Sequence, residues 1–581
     1  MSLDAILSRV ESGESVPPSD LLPYLCLERR EQRAEVNALL ARAYFRAGGG
    51  QNLAHAGAFV RRAWLLGRFP PDLLPLYTEI HTALDDVEAI REAYKRVGMR
   101  AAARGDADEA IKYFDLWHYA YHHLRKLDRY EYDFDIMECV GRLARPHRLA
   151  PRPRPDASKG GPVRVAYLVK GITEVGAVLV KINLLFARHH DRSRVEPMFF
   201  VPESGRAVLE SEAGREHIRL FESHGYRLET APDVGATAER LRAVARSIAD
   251  ARPDLLVTDA ALADFQHYYL ASLRPAPYVV GLVQGPPEQF AAPDLDWGLA
   301  WSKHPLIDCP VSCTLIDMEL ELPDRDRLAP YDRGELGLPA DAFVMATAGR
   351  HVKFQEPAVW RAVIDLLEEH PRLYYLAMGV EESQVPFLPA MLTPELRSRV
   401  LFLGWRGGDY LRGLCLADVL LDTFPSGGGA VLSDAMALGV PVVTFRNNYM
   451  KRYDQTDWSP AEEFIHTDTV VGRGDFEQMK RVVARLIGDE PYRREVARSL
   501  QEHIRLTRGD PARAIRRCED AYVRILGELR SGGGAAPDAL AAEVGALASG
   551  SRRTPPRWVA GGARQLKRAL RFGVRVLDRV A

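Results

Sequence analysis

Over the first 145 residues, apolar positions recur at three- and four-residue spacing with few β-branched runs, a pattern that predicts helices. The clearest unit is EAYKRVGMRAAARGDADEAIKYFDLW, from Glu92 to Trp117. Gly98 and Ala102 let two helices approach closely, and Gly105-Asp106 makes a turn. Ala110 and Phe114 then sit one helical turn apart on the next helix. Small and large residues at these offsets predict a helical hairpin. The earlier stretch LLARAYFRAGGGQNLAHAGAFVRRAW (39–64) reads as a more degenerate copy, and a plain helical bundle is the alternative.

The period changes after a Pro- and Gly-rich break at 149–162, which reads as a linker. VRVAYLV (163–169), EPMFFVP (196–202), DLLVTDA (254–260) and YVVGLVQ (278–284) are short apolar runs separated by helical stretches such as Thr237–Ala251. A second series follows: FVMATAG (343–349), LYYLAMG (373–379), VLFLGW (400–405), DVLLDTF (418–424) and PVVTF (441–445). Helices at Pro357–His370 and Val431–Leu438 lie between these runs, and Pro511–Arg530 closes the body. Alternating strands and helices imply parallel sheets with right-handed crossovers. The fold class is therefore α/β, two Rossmann-like lobes preceded by an all-α domain. The expected units are a helical domain (1–148), the linker (149–162), a first lobe on the acceptor side (163–330) and a second lobe with its closing helix (331–530). A flexible Gly/Ala/Ser/Pro linker (531–556) and a basic amphipathic helix (557–581) complete the chain.

In that last helix Leu566, Leu570, Gly573, Leu577 and Val580 share a face, and Arg and Lys cover much of the rest. Contact with an anionic membrane surface is one expectation, and packing on the protein body is the other. The net charge of -2 gives no global field toward nucleic acid. Six scattered cysteines make no disulfide framework, and Cys309 with Cys313 is a lone CxxxC, a weak metal signal. The first residues lack the basic and apolar regions of a signal peptide, and no apolar run reaches the length of a membrane span. The expected compartment is cytoplasmic, with peripheral contact at the inner membrane surface through the tail.

Chemistry concentrates in LADVLLDTFPSGGGAVLSDAMALGVPVVTF (416–445). A buried strand ends at Asp422, and Ser426 with Gly427, Gly428 and Gly429 forms a loop before a helix starting near Ala430. Glycines let the backbone approach a phosphate, and the helix N-terminus favours the anion. Asp434, one turn into the helix, is placed to accept ribose hydroxyls. In TAGRHVKFQEP (347–357), Arg350 and Lys353 follow a strand, where cations would stabilise a departing nucleoside diphosphate.

These stretches resemble the O-linked N-acetylglucosamine transferases and their bacterial relatives in glycosyltransferase family 41. Three segments carry the resemblance: LRPAPYVVGLVQGPP (273–287), KFQEPAVW (353–360) and ADVLLDTFPSGGGAVLSDAMALGVPVVTF (417–445). The Glu92–Trp117 hairpin resembles a tetratricopeptide repeat, as precedes the catalytic region in that family. The resemblance implies a GT-B fold, a UDP-sugar donor, inversion at the anomeric carbon and no metal or cofactor. It places the diphosphate-binding lysine on Lys353, the ribose-binding acid on Asp434 and a polar partner on Arg350. Tyr410 falls where the family has a histidine near the uracil. Gly429-Ala430-Val431 replaces the family's His-Thr-Thr run, leaving backbone groups for the phosphates. The first-lobe loop Lys170–Gly176 lacks the family's histidine, and Glu174 is its nearest ionisable residue.

Inverting transfer needs a base near the acceptor hydroxyl. Glu174, Asp259, His267 and Glu288 are the candidates, and Gly285-Pro286-Pro287 shapes the acceptor side. The pairs Asp294/Asp296 and Asp324/Asp326 invite a metal reading, but neither follows the donor-site strand, so no metal is expected. The expected acceptor is a protein Ser/Thr or glycan hydroxyl, with a protein partner on the helical repeats. An inactive repeat scaffold and a GT-B sugar-nucleotide epimerase remain the alternatives.

Overall fold

The computed structural model describes residues 1–123, 133–151, 161–175, 177–258, 264–283, 294–300, 312–316, 319, 321–405, 409–425, 427–446 and 465–531. The membrane-contact tail, nearly all of the 531–556 linker and most of the 149–162 linker lie outside these residues, as do Cys309, Asp259, Gly285 and Glu288. None of the described helices is long and apolar enough to cross a membrane.

The chain begins as helical hairpins, Arg30–Ala47 with Gly50–Leu66 and Val87–Ala103 with Ala107–His123. Asp86 and Asp106 cap the two helices of the second hairpin, accepting from Ala89 N–H at 3.1 Å and Glu109 N–H at 3.0 Å. Gly98 permits the close crossing: a Cβ there would stand 2.6 Å from Phe114 Cε1.

Thirteen strands follow among the described residues. The first lobe holds β1 (Val163–Leu168), β2 (Val195–Ser204), β3 (Leu228–Ala231), β4 (Leu255–Thr258), β5 (Tyr278–Val283), β6 (Trp297–Ala300) and β7 (Cys313–Leu315). The second holds β8 (Phe343–Ala348), β9 (Leu373–Met378), β10 (Val400–Phe402), β11 (Val419–Leu421), β12 (Val442–Phe445) and β13 (Val470–Val471). The sheet orders are β3-β2-β1-β4-β5-β6-β7 and β10-β9-β8-β11-β12-β13. All pairings are parallel. Each sheet thus reverses its winding between its first and fourth strands, and ligands of such sheets bind in the crevice beyond the strand ends at that point. In the second lobe the crevice lies between β8 and β11. The short strands β3, β6, β7 and β13 have four residues or fewer and were not among the sequence expectations.

Packing redraws two expected units. Ile111, Phe114 and Trp117 of the helical region share one apolar core with Ala166, Leu168, Phe200 and Leu256 of the first sheet. The last helices before the linker are therefore a layer of the first lobe as well as part of the helical domain. The helix Pro511–Arg530, expected to close the second lobe, packs on the first instead. Its face of Ile515, Cys518, Tyr522 and Ile525 is fully buried with Val165, Tyr167 and Val257. Polar groups are matched at this contact: Tyr167 Oη lies 2.8 Å from Tyr522 Oη and 2.7 Å from His190 Nε2. The preceding helix, Glu490–Arg508, buries Val496, Leu500 and Ile504 in the second-lobe core, so the chain changes lobe between them.

Candidate functional site

Two loops of the second lobe meet at its crevice. After β8 the chain passes Gly349 and Arg350 into a short 3-10 turn, His351–Phe354, that carries Lys353. After β11 it passes Asp422 and the glycine loop into the helix Ala430–Ala437. Gly379, following β9, makes this junction compact. Its φ is +89°, and a Cβ there would lie 2.2 Å from the Gly349 carbonyl oxygen, which only glycine avoids.

The glycine loop is held by a buried acid. Asp422 Oδ1 accepts the Thr423 and Gly428 N–H groups at 2.8 and 2.7 Å, and Oδ2 accepts the Thr444 hydroxyl at 2.6 Å. Among the described residues no side chain caps the helix that follows Gly429. Its first N–H groups and dipole are therefore presented to the opening as an anion cradle. Lys353 Nζ donates to the Gly427 carbonyl at 2.6 Å across the junction. The ammonium end is buried, which lowers its pKa to about 8. Arg350 pushes the same way, and the Asp422 carboxylate opposes it.

Asp434 sits on the first turns of that helix, and the Tyr410 hydroxyl donates to its Oδ2. Burial raises the Asp434 carboxyl to about 6, against the Tyr410 bond and the positive field of Lys181. Tyr410 itself is pushed up by burial and by the neighbouring carboxylate.

A cavity of about 600 Å³ brings these groups together, a size typical of small-ligand sites. Arg350, Lys353, Gly428, Gly429, Ala430 and Asp434 line it, with Tyr410 beside Asp434. Gly427 contributes the carbonyl that holds Lys353. Lys181 and Arg188, on the first-lobe helix Val178–His189, line the opposite wall, so the cavity lies between the lobes. Arg188 pairs with Glu321 at its edge, and Trp405, 60% exposed, stands at the mouth.

Of the base candidates, neither of the two described ones, Glu174 and His267, lines the cavity. Glu174 is exposed in a turn closed by its N–H to the Gly171 carbonyl at 2.9 Å, and it does not line the cavity. His267 is buried in the helix Phe265–Ser272, its N–H held by Asp264 Oδ1 at 3.1 Å. Asp259, Glu288 and Gly285 lie outside the described residues. The acidic pairs have structural partners. Asp294 takes Arg148 and the Ser272 hydroxyl, Asp296 takes Arg274 and the Val279 N–H, and Asp324 caps the Arg325–Arg327 turn. Among the described residues no group of three or more His, Cys, Asp or Glu is placed to hold a metal.

Sequence reasoning missed Asp422, Lys181 and Trp405. For Asp422 the signal was present, an acid directly after the apolar run Val419–Leu421, where its carboxylate reaches the next loop. Lys181 gives no local signal, because it reaches the site from a helix of the other lobe.

The sequence matches no family model. Over 123 residues it is 28% identical to UDP-N-acetylglucosamine–peptide N-acetylglucosaminyltransferase of Giardia intestinalis, a stretch that is 20% of this chain and 8% of that protein. Over 201 residues it is 26% identical to the lipopolysaccharide core biosynthesis glycosyltransferase LpsE of Rhizobium meliloti, covering 34% of this chain and 54% of that protein. The matches thus span little of the first relative and about half of the second. In fold the chain is similar to a Thermobaculum terrenum O-GlcNAc transferase mutant, with a TM-score of 0.53 and 18% identity over 93% of this chain and 98% of that one. The shared architecture is GT-B: helices, then two Rossmann-like lobes.

Proposed function

We propose that this chain is a glycosyltransferase that moves a hexosyl or N-acetylhexosaminyl group from a UDP-sugar to a hydroxyl of a protein Ser/Thr or a glycan, with inversion and without a metal. The observation that supports it is the meeting of Lys353, the Gly428–Ala430 loop and Asp434 in one cavity between the lobes. In this reading the diphosphate lies on the loop and the helix N-terminus. Asp434 takes the ribose, and Tyr410 lies toward the base. The acceptor oxygen attacks the anomeric carbon as the bond to the diphosphate breaks. Lys353 and Arg350 balance the charge growing on the leaving group, the role a metal fills in other transferases. The acceptor proton passes to a base on the first-lobe side.

The test is release of UDP from a panel of UDP-sugars, with and without protein and glycan acceptors and with and without EDTA. Acceptor-dependent release that survives EDTA is expected. Binding without release under every condition would mean a scaffold, and an epimerised sugar nucleotide without acceptor would mean an epimerase. For the basic 557–581 segment we propose contact with anionic membrane, which sedimentation of the full and truncated chains with anionic vesicles tests.

A further inference from the structure

The first-lobe wall of the 600 Å³ cavity is one face of one helix. Val178, Lys181, Leu184, Leu185 and Arg188 recur three or four residues apart along Val178–His189, and all five line the cavity. The other face, with Val180, Ile182 and Phe186, is fully buried in the first-lobe core, which fixes the rotation of the helix. Lys181 is therefore held toward the cleft, with Val178 one turn before it and Leu184 and Leu185 one turn after.

The charged groups that line the cavity are unequally matched. Arg188 pairs with Glu321, and Lys353 is tied to the Gly427 carbonyl at 2.6 Å. Lys181 and Arg350 are exposed, and neither side chain has an ion pair or a hydrogen bond among the described residues. One unmatched cation thus stands on each wall of the same concavity, Lys181 on the first lobe and Arg350 on the second. Two like charges lining one cavity repel each other, and an anion between them turns that repulsion into two attractions.

Lys181 also acts on a second-lobe group. Burial raises the Asp434 carboxyl, and the Tyr410 hydrogen bond and the field of Lys181 oppose the rise. Asp434 lies one turn along the helix that the glycine loop opens, so the field of Lys181 reaches the part of the second lobe that forms the anion cradle.

We infer that Lys181 binds the donor diphosphate from the first lobe, opposite Arg350, and so completes an anion site that neither lobe holds alone. The inference rests on the transferase reading and adds a donor-binding residue to it. A nucleoside diphosphate joined to a sugar carries a negative charge on each phosphate, and the two unmatched cations answer them. A lysine ammonium offers three donors and no acceptor, which suits phosphate oxygens and excludes Lys181 as the base for the acceptor hydroxyl. Its stem can lie along the apolar positions on either side while the ammonium reaches the ligand.

The test is calorimetric titration of the full chain with UDP and with uridine, which has the base and ribose but no phosphate. Lys181→Gln should weaken UDP about tenfold, the loss expected for one hydrogen bond between charged groups, and leave uridine unchanged. Lys181→Arg should restore most of the UDP affinity. The loss should persist at about 1 M salt, where the screening length falls to about 3 Å and a remote field no longer acts. Wild-type UDP affinity in Lys181→Gln, an equal loss for uridine, or a loss that vanishes in salt would overturn the inference. If Lys353→Ala loses UDP while Lys181→Gln keeps it, the inference fails and the transferase reading stands. An unaltered chain that takes no UDP would defeat both.

Discussion

The Asp422 carboxylate accepts the Gly428 N–H at 2.7 Å and so sets the direction of the glycine loop. The Thr423 N–H and the Thr444 hydroxyl also donate to it, tying the end of β11 to β12 and to the loop. An anion cradle of backbone N–H groups binds well only if those groups point the right way before the ligand arrives. Asp422 supplies that order without lining the cavity, which makes it a positioning residue.

Asp422→Ala leaves three donors unmet, and we expect a loss of about 3 kcal/mol in denaturant unfolding together with at least about tenfold weaker UDP binding. Asp422→Asn keeps an oxygen toward Thr423 and Gly428 and turns an amide toward the Thr444 hydroxyl, which can accept. It should restore most of both quantities. Equal behaviour of the two variants would mean that charge, and not loop geometry, is what the site takes from Asp422.

Lys353 gives a pH signature in which two measurements move in opposite directions. Its pKa of about 8 lies below the ordinary lysine value, chiefly through burial. Between about pH 8 and 10 the unfolded chain therefore binds more protons than the folded one, and stability rises with pH over that window. In the proposed reading the diphosphate is held by the ammonium, so UDP affinity should fall through the same window, by up to tenfold per pH unit. Calorimetric titrations and melting curves from pH 7 to 10 measure both. Lys353→Ala should flatten both trends and lower turnover about 10²–10³-fold without loss of stability. A variant that unfolds instead would make Lys353 structural.

Much of this architecture was legible because its periods are strong. Runs such as VRVAYLV and FVMATAG are central strands, and the glycine loop lies at the end of β11. What escaped depends on long-range contact. β6 and β7 are edge-side strands of four and three residues, too short for a periodic signal. The apolar stripe of Pro511–Arg530 predicts a helix but not which lobe it covers, since either sheet offers a similar apolar face. Lys181 reaches the cavity from a helix far from the glycine loop in sequence, where no local pattern can show it.

Gly98→Ala probes the helical hairpin. The added methyl would stand 2.6 and 2.8 Å from two carbons of the buried Phe114 ring, which also contacts Phe265 of the first lobe. Alanine favours the helix by up to about 1 kcal/mol over glycine, but overpacking costs about 1–3 kcal/mol. Net destabilisation is expected, and Gly98→Ala combined with Phe114→Leu should recover part of it. A more stable single variant would mean that the Phe114 ring moves aside freely.

Glu319 gives a test of how the lobes are joined. The chain crosses between them twice, once after β7 on the way to β8 and again between Arg508 and Pro511. Glu319, fully buried, stands where the crossings meet. It accepts the Asp510 N–H at 2.7 Å and both arms of Arg513 at 2.7 and 2.8 Å, with Arg517 at 3.4 Å. Glu319→Ala removes acceptors from a backbone donor and two guanidinium groups. Because Arg513 is 39% exposed and can turn to water, the cost should be about 2 kcal/mol and not the larger loss of a fully buried pair. Glu319→Gln keeps the size and one acceptor but loses the bidentate grip, so it should fold nearly normally while loosening the hinge. Lys181 and Arg188 line the same cavity as the glycine loop, so in the proposed reading a looser junction between the lobes should lower kcat and raise the donor KM together. Small-angle scattering with and without UDP should then show less compaction than in the unaltered protein. Unchanged kinetics and compaction in Glu319→Gln would reduce Glu319 to a stabilising contact with no part in lobe closure.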